Sequence, residues 1–281
     1  MADGFLPVQR TPETGWLISF LYPMRGAECL GVIAAMGLIA WIFAVLVPEY
    51  GLQAMADASS MGASLIGKLF VMIAVLPSVI LGPMSLSYWL QYLGRVLVFS
   101  AMGDCVPPRT PDRNFDGLLN GLSPWFVWLV MGLGVGLGPA AWWAFAGNAS
   151  ADAIPWAPLV LAAAGLPYIL TALMLSFLHD RATAVMPWDV LSGLARLGGS
   201  FFGLCAVIAA AFGIVGAGLA SILWVRTQLF WPYLLIALGW CIGFLWCQVA
   251  VMRLLGVFYF HRKDSLRWNR AHPRWGVAWR S

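Results

Sequence analysis

Charge is what this sequence has least of. Only 10% of its 281 residues are Asp, Glu, Lys or Arg, against about 25% in an ordinary soluble domain. Sixteen basic and twelve acidic groups are too few to cover the surface of a water-soluble globule of this length. The complementary figure, 61% apolar residues, excludes disorder, which requires low hydrophobicity. What fits is an integral membrane protein.

A spanning helix needs roughly 20 apolar residues to cross a ~30 Å hydrocarbon core. Six stretches qualify: Ala27–Val47, Leu65–Leu86, Trp125–Ala146, Ala157–Leu178, Gly199–Leu223 and Leu229–Met252. They are continuously apolar and lack the period-two alternation of a membrane barrel. Lipid supplies no hydrogen-bond partner to the backbone, so each is expected to be a helix. The sequence therefore predicts an all-α membrane protein, a bundle of six transmembrane helices.

The basic residues orient the bundle. Fourteen of the sixteen lie in segments 1–26, 87–124, 179–198 and 253–281, and loops 48–64 and 147–156 hold none. This alternation predicts both termini in the cytoplasm. Three regions follow: a cytoplasmic lead-in over 1–26, the membrane domain over 27–252, and a cytoplasmic tail over 253–281. The lead-in is polar and lacks the short apolar core and small-residue cleavage site of a signal peptide, so it is expected to be retained.

The segments before the third and fifth spans look alike. One begins Phe115-Asp116 and ends Gly121-Leu122; the other begins Trp188-Asp189 and ends Gly193-Leu194. Each suits a short amphipathic helix lying in the membrane interface. They are either an internal repeat or the usual aromatic-rich look of membrane borders. Residues 14–26 resemble them more loosely. Pro77 and Pro83 predict a kinked second helix, because proline interrupts the hydrogen-bond ladder, and apolar residues continue past it to Met102.

The tail is a compositional unit of its own. Its seven basic residues and one acid carry more than the whole net charge of +4. Arg262, Lys263, Arg267, Arg270 and Arg274 interleave with Trp268 and Trp275, the mixture expected at an anionic headgroup layer, where each basic residue contributes ~1 kcal/mol. The expected partners are thus a bilayer with anionic headgroups and a membrane-protein partner or second copy, with no nucleic acid.

Glycine is abundant where charge is missing. Gly132, Gly134, Gly136 and Gly138 form two overlapping pairs at spacing four, and Gly199/Gly203 and Gly239/Gly243 repeat that spacing. Such pairs let helix backbones approach closely, so all eight are candidate packing positions.

Chemistry finds little foothold. The third to sixth spans contain no Asp, Glu, Lys, Arg or His; the second holds only Lys68 and the first only Glu28, at its mouth. A coupled pump normally requires a midplane carboxylate or histidine. Neither a Gly-x-Ser-x-Gly elbow nor a His-Glu-x-x-His motif occurs, and no catalytic residue, metal or cofactor is expected. The five cysteines read as small apolar fillers. His179, Asp180 and Arg181, with Asp189, form the only compact titratable cluster and the only foothold for an enzyme.

Phe20-Leu21-Tyr22-Pro23-Met24-Arg25-Gly26 and the segment Leu255–Arg262, with Trp268 beyond it, resemble uncharacterised bacterial six-helix membrane proteins of domain-of-unknown-function families that are broadly Yip-like. The resemblance concerns overall layout. It implies a helical bundle in the cytoplasmic (inner) membrane and no reaction. The expected role is a non-catalytic scaffold, assembly factor or complex subunit. The alternative is a channel or facilitator for a small neutral or apolar solute or lipid, not proton-coupled.

Overall fold

The computed structural model describes residues 16–47, 65–108, 122–146, 157–178, 185–226, 230–266 and 268, and among these every regular element is helical. α1 (Trp16–Leu21) runs into a 3₁₀ turn (Tyr22–Arg25) and then α2 (Ala27–Trp41), which ends in a π-helical turn (Ile42–Leu46). α3 is Leu65–Ala101. A second π-helical stretch (Trp128–Leu133) leads into α4 (Gly134–Ala146). α5 (Ala157–Leu178), α6 (Pro187–Leu197), α7 (Gly199–Arg226) and α8 (Phe230–Leu266) complete the order.

Five helices among the described residues are long and apolar enough to cross a membrane: Ala27–Val45, Leu122–Phe145, Ala157–Leu178, Gly199–Arg226 and Pro232–Lys263. This is a helical multi-pass membrane protein by helix length and hydropathy. α3, 37 residues long, covers the remaining expected span.

The second helix runs on past Leu86, as its apolar residues to Met102 suggest, and its helical backbone is continuous through Pro77 and Pro83 to Ala101. Beyond Leu86 it is held by packing, since Tyr92, Val96 and Leu97 are fully buried. The last helix likewise continues through the expected boundary at residue 252 as far as Leu266. Arg253 is therefore not the first residue of a surface tail. It lies inside a helix and is 3% exposed.

α8 is the central element. It packs on α2, α3 and α7 and, toward its C-terminal part, on α1 and α6. From Val249 to Val257 every residue of α8 is buried, the pattern of a helix surrounded on all sides. α5 is buried without interruption from Pro167 to Leu178, whereas its first half is largely open. Burial therefore concentrates at one end of the bundle. This end, called proximal below, carries α1, the turn after α3, α6 and the last turns of α8. The other end exposes Trp142, Phe145, Leu159 and Trp224, which costs nothing in lipid because hydrocarbon is as apolar as the side chains themselves.

Tryptophan stitches the helices together. The indole N–H of Trp125 donates to Leu90 O (2.7 Å), that of Trp128 to Ile169 O (3.0 Å) and that of Trp41 to Leu234 O (2.9 Å). Trp240 donates to Val215 O (2.9 Å) and Trp246 to Phe20 O (2.8 Å). Each bond crosses between elements and uses the second lone pair of a main-chain carbonyl. Trp125 also meets Trp128 and Phe177 edge-on, with centroids 5.5 and 5.0 Å away. Trp125→Phe is expected to lower stability by about 1 kcal/mol, the net worth of one such bond. Thermal unfolding in detergent checks this against Trp142→Phe, an exposed position where no change is expected.

Candidate functional site

The proximal end holds the densest polar chemistry of the described residues. The 3₁₀ turn places Tyr22 against α8, where the Arg253 guanidinium lies 4.5 Å from its ring centroid. The Tyr22 hydroxyl donates to Val106 O at 3.1 Å. Arg253 donates to Asp104 O. One arginine thus joins α8 to the lead-in and to the turn after α3. That turn forms because Gly103 adopts φ +93°, a conformation that glycine takes without steric cost. Burial pushes the Tyr22 phenol well above its ordinary range, opposed by Arg253 and reinforced by the Asp104 carboxylate. The phenol stays neutral at physiological pH, and the arginine interacts with its ring and not with a phenolate.

A close helix contact sits beside this cluster. A Cβ on Gly256 would meet the Ser100 side chain, and would lie 2.6 Å from Leu97 O and 3.0 Å from Ala101 N. Glycine here lets the backbones of α3 and α8 touch. Trp89 and Gln248 tie the same two helices one step farther in, at 2.6 Å. Among the described residues, the buried hydroxyl of Tyr168 has no hydrogen-bond partner.

The eight glycines expected to mediate packing divide sharply. A Cβ on Gly132 would lie 2.7 Å from Trp128 and 3.2 Å from Ala172. One on Gly136 would meet Ile169 and lie 3.3 Å from Gly165 O. These two therefore pack α4 and the stretch before it onto α5. A Cβ on Gly134 would meet only Leu129 O, at 4.0 Å, and Gly138, Gly199, Gly203, Gly239 and Gly243 have no neighbour within 4 Å among the described residues; spacing of four repeats along a helix whichever way the face points. Gly37, Gly94, Gly165 and Gly256 do make close contacts and were not singled out in the sequence, because none belongs to a conspicuous pair.

The tail residues also separate. Trp268 is 9% exposed, stacks on Tyr259 at 5.6 Å and covers Gly193. It packs against protein, with Tyr259 as its stacking partner. Arg262 donates to Ser200 Oγ at 2.8 Å, and Lys263 lies 4.4 Å from the Phe260 ring centroid. Arg267, Arg270, Arg274 and Trp275 lie outside the described residues, as do His179, Asp180, Arg181 and the Phe115-Asp116 segment. Asp189 is described; it is exposed in the first turn of α6.

α6 has three distinct sectors, each recurring at i, i+3 and i+7. Val190, Gly193 and Leu197 are buried against the bundle. Trp188, Leu191 and Ala195 are exposed and apolar, and Asp189, Ser192 and Arg196 are exposed and polar. The spacing follows from 3.6 residues per turn, and the Ser192 hydroxyl returns to Asp189 O (2.9 Å). A turn at Gly198, φ +73°, then redirects the chain into α7.

Other polar groups close locally. Thr171 Oγ1 donates to Pro167 O (2.8 Å), Ser176 Oγ to Leu173 O (2.8 Å) and Ser221 Oγ to Ala217 O (3.0 Å), as expected for isolated hydroxyls in spanning helices. All five cysteines are free thiols. No three His, Cys, Asp or Glu residues come together to hold a metal among the described residues. No family model, curated protein or solved structure matches the chain.

Proposed function

We propose that this protein is a non-catalytic subunit, scaffold or assembly factor of a membrane complex. It crosses the bacterial cytoplasmic membrane six times, with α3 as the second span and both termini in the cytoplasm. The proximal end, where Arg253 and α6 lie, faces the cytoplasm, and α6 lies in the interface with Trp188 and Leu191 in lipid.

The observation that carries this reading is the outward face of α7. Gly199, Gly203, Ala206, Ala210, Gly213, Ala217 and Ala220 alternate at spacings of four and three, and all seven are exposed. This is a seam of small residues along a 28-residue helix, left exposed by the described residues. Helices in lipid associate through such seams, where small side chains admit close backbone contact. The all-round burial of α8 over Val249–Val257 supports a packed body over a facilitator.

Purification in mild detergent followed by native mass spectrometry tests this. A stoichiometric membrane-protein partner or a second copy is expected, lost on Gly213→Leu. A chain that is monomeric and alone under these conditions, before and after chemical cross-linking in the membrane, would overturn it.

A further inference from the structure

We propose that the junction of α6, α7 and α8 is a binding surface for the phosphate of an anionic membrane lipid, with Arg196 and Arg262 as its two cationic contacts. The inference rests on the interfacial placement of α6 given above and goes beyond it by naming a lipid class and the residues that select it. Two arginines from separate elements span one seam. Arg196, at the end of α6, reaches Leu266 O at 3.5 Å. Arg262, one turn before Leu266 on α8, donates to Ser200 Oγ at 2.8 Å. Between Arg196 and Ser200 runs the Gly198 turn, and a Cβ there would lie 3.9 Å from Arg262 Nη1.

The neighbouring surface is apolar. Trp188 is 79% exposed, Leu191 51% and Met186 42%, and Trp188 and Leu191 stand on the α6 sector adjacent to the one that carries Arg196. Side by side, these sectors offer an apolar strip for acyl chains and a cationic edge for a headgroup. Tryptophan favours that level of the bilayer, and guanidinium matches phosphate oxygens with paired donors. The acidic group on the same polar sector is Asp189, two turns from Arg196. It disfavours an anion only at the far end of the helix. A soluble phosphate would use the arginines without the apolar strip, so the two together select an amphiphile.

Native mass spectrometry of the full chain, extracted from nanodiscs of equal phosphatidylglycerol and phosphatidylcholine, tests the proposal. The wild type is expected to retain phosphatidylglycerol in preference. The double variant Arg196→Gln/Arg262→Gln should lower that retention at least fivefold and leave phosphatidylcholine unchanged, and Arg196→Lys/Arg262→Lys should restore part of it. Trp188→Ser/Leu191→Ser should also lower it. Ser200→Ala removes the bond to Arg262 but keeps both guanidiniums, so retention should persist. Undiminished phosphatidylglycerol in the Gln variant would overturn the proposal. So would loss in Ser200→Ala equal to that in the Gln variant, which would mark a folding effect, or displacement of the lipid by millimolar inorganic phosphate. Extraction of the chain from membranes by alkaline carbonate would instead overturn the membrane placement on which the proposal rests.

Discussion

Gly256→Val is expected to separate α3 from α8 and to cause a large loss of stability. The Cβ alone would lie 2.6 Å from Leu97 O and 3.0 Å from Ala101 N. Both are main-chain atoms of α3, so no rotamer change relieves the overlap. Valine adds two further carbons on a helix that is buried on every side at this level. Overpacking a rigid core costs about 1–3 kcal/mol and at times more. Because the obstacle is backbone, the upper end applies, a fall in Tm of roughly 6–12 °C for a chain of this size. Heating in detergent followed by size-exclusion chromatography measures it. Gly243→Val supplies the contrast: no described atom lies within 4 Å of a Cβ there, and no loss from packing is expected. Equal effects at the two positions would show that the cost arises from β-branching in the helix and not from the α3–α8 contact.

Arg253→Ala is expected to cost about 3 kcal/mol, the range for removing one partner of a buried charged interaction. The substitution leaves Asp104 O without this donor, removes the cation from the Tyr22 ring and opens a void beside that ring. The lead-in and the turn after α3 should both loosen from α8, so limited proteolysis near residues 22–26 and 103–108 should accelerate together. Arg253→Met is the informative companion. It retains most of the side-chain volume without a charge to desolvate, so a smaller loss is expected. Arg253→Lys keeps the charge but not the planar face that stacks on tyrosine, and should fall between. If alanine and methionine are equally damaging, the interaction with Asp104 O and Tyr22 dominates over packing. If alanine is harmless, Arg253 does not hold this end of the bundle together.

The unequal legibility of the glycines has a simple cause. A pair at spacing four identifies a helical face on which close approach is possible, but not whether anything approaches. Gly132 and Gly136 face α5 and are filled, while Gly199 and Gly203 lie on the same kind of face and point outward. Conversely, a contact needs only one small residue opposite a bulky or backbone group. Gly94, where a Cβ would lie 2.5 Å from the Phe177 ring, and Gly256, against Leu97 O, therefore carry no pattern that a sequence displays. Arg253 illustrates the same limit for charge. A lone arginine following an apolar run marks the end of a span by the usual rule, and only the arrival of Tyr22 and the Asp104 carbonyl from distant segments makes its burial tolerable.

The sequence by itself determined the class of this protein and the position of most of its helices. Twenty-eight charges in 281 residues, distributed almost wholly outside long apolar runs, leave helices in a bilayer as the only arrangement that satisfies the backbone. The amphipathic character of α6 was equally legible, because three faces at helical spacing are a local property. Tertiary structure alone decided how far α8 runs beyond residue 252, which glycines touch another helix, and that Trp268 turns inward to Tyr259. These are decided by partners far apart in the chain, and in a membrane protein hydrophobicity is nearly uniform around each helix. It sets where a helix sits in the bilayer, while shape and a few polar groups decide which side of it meets a neighbour.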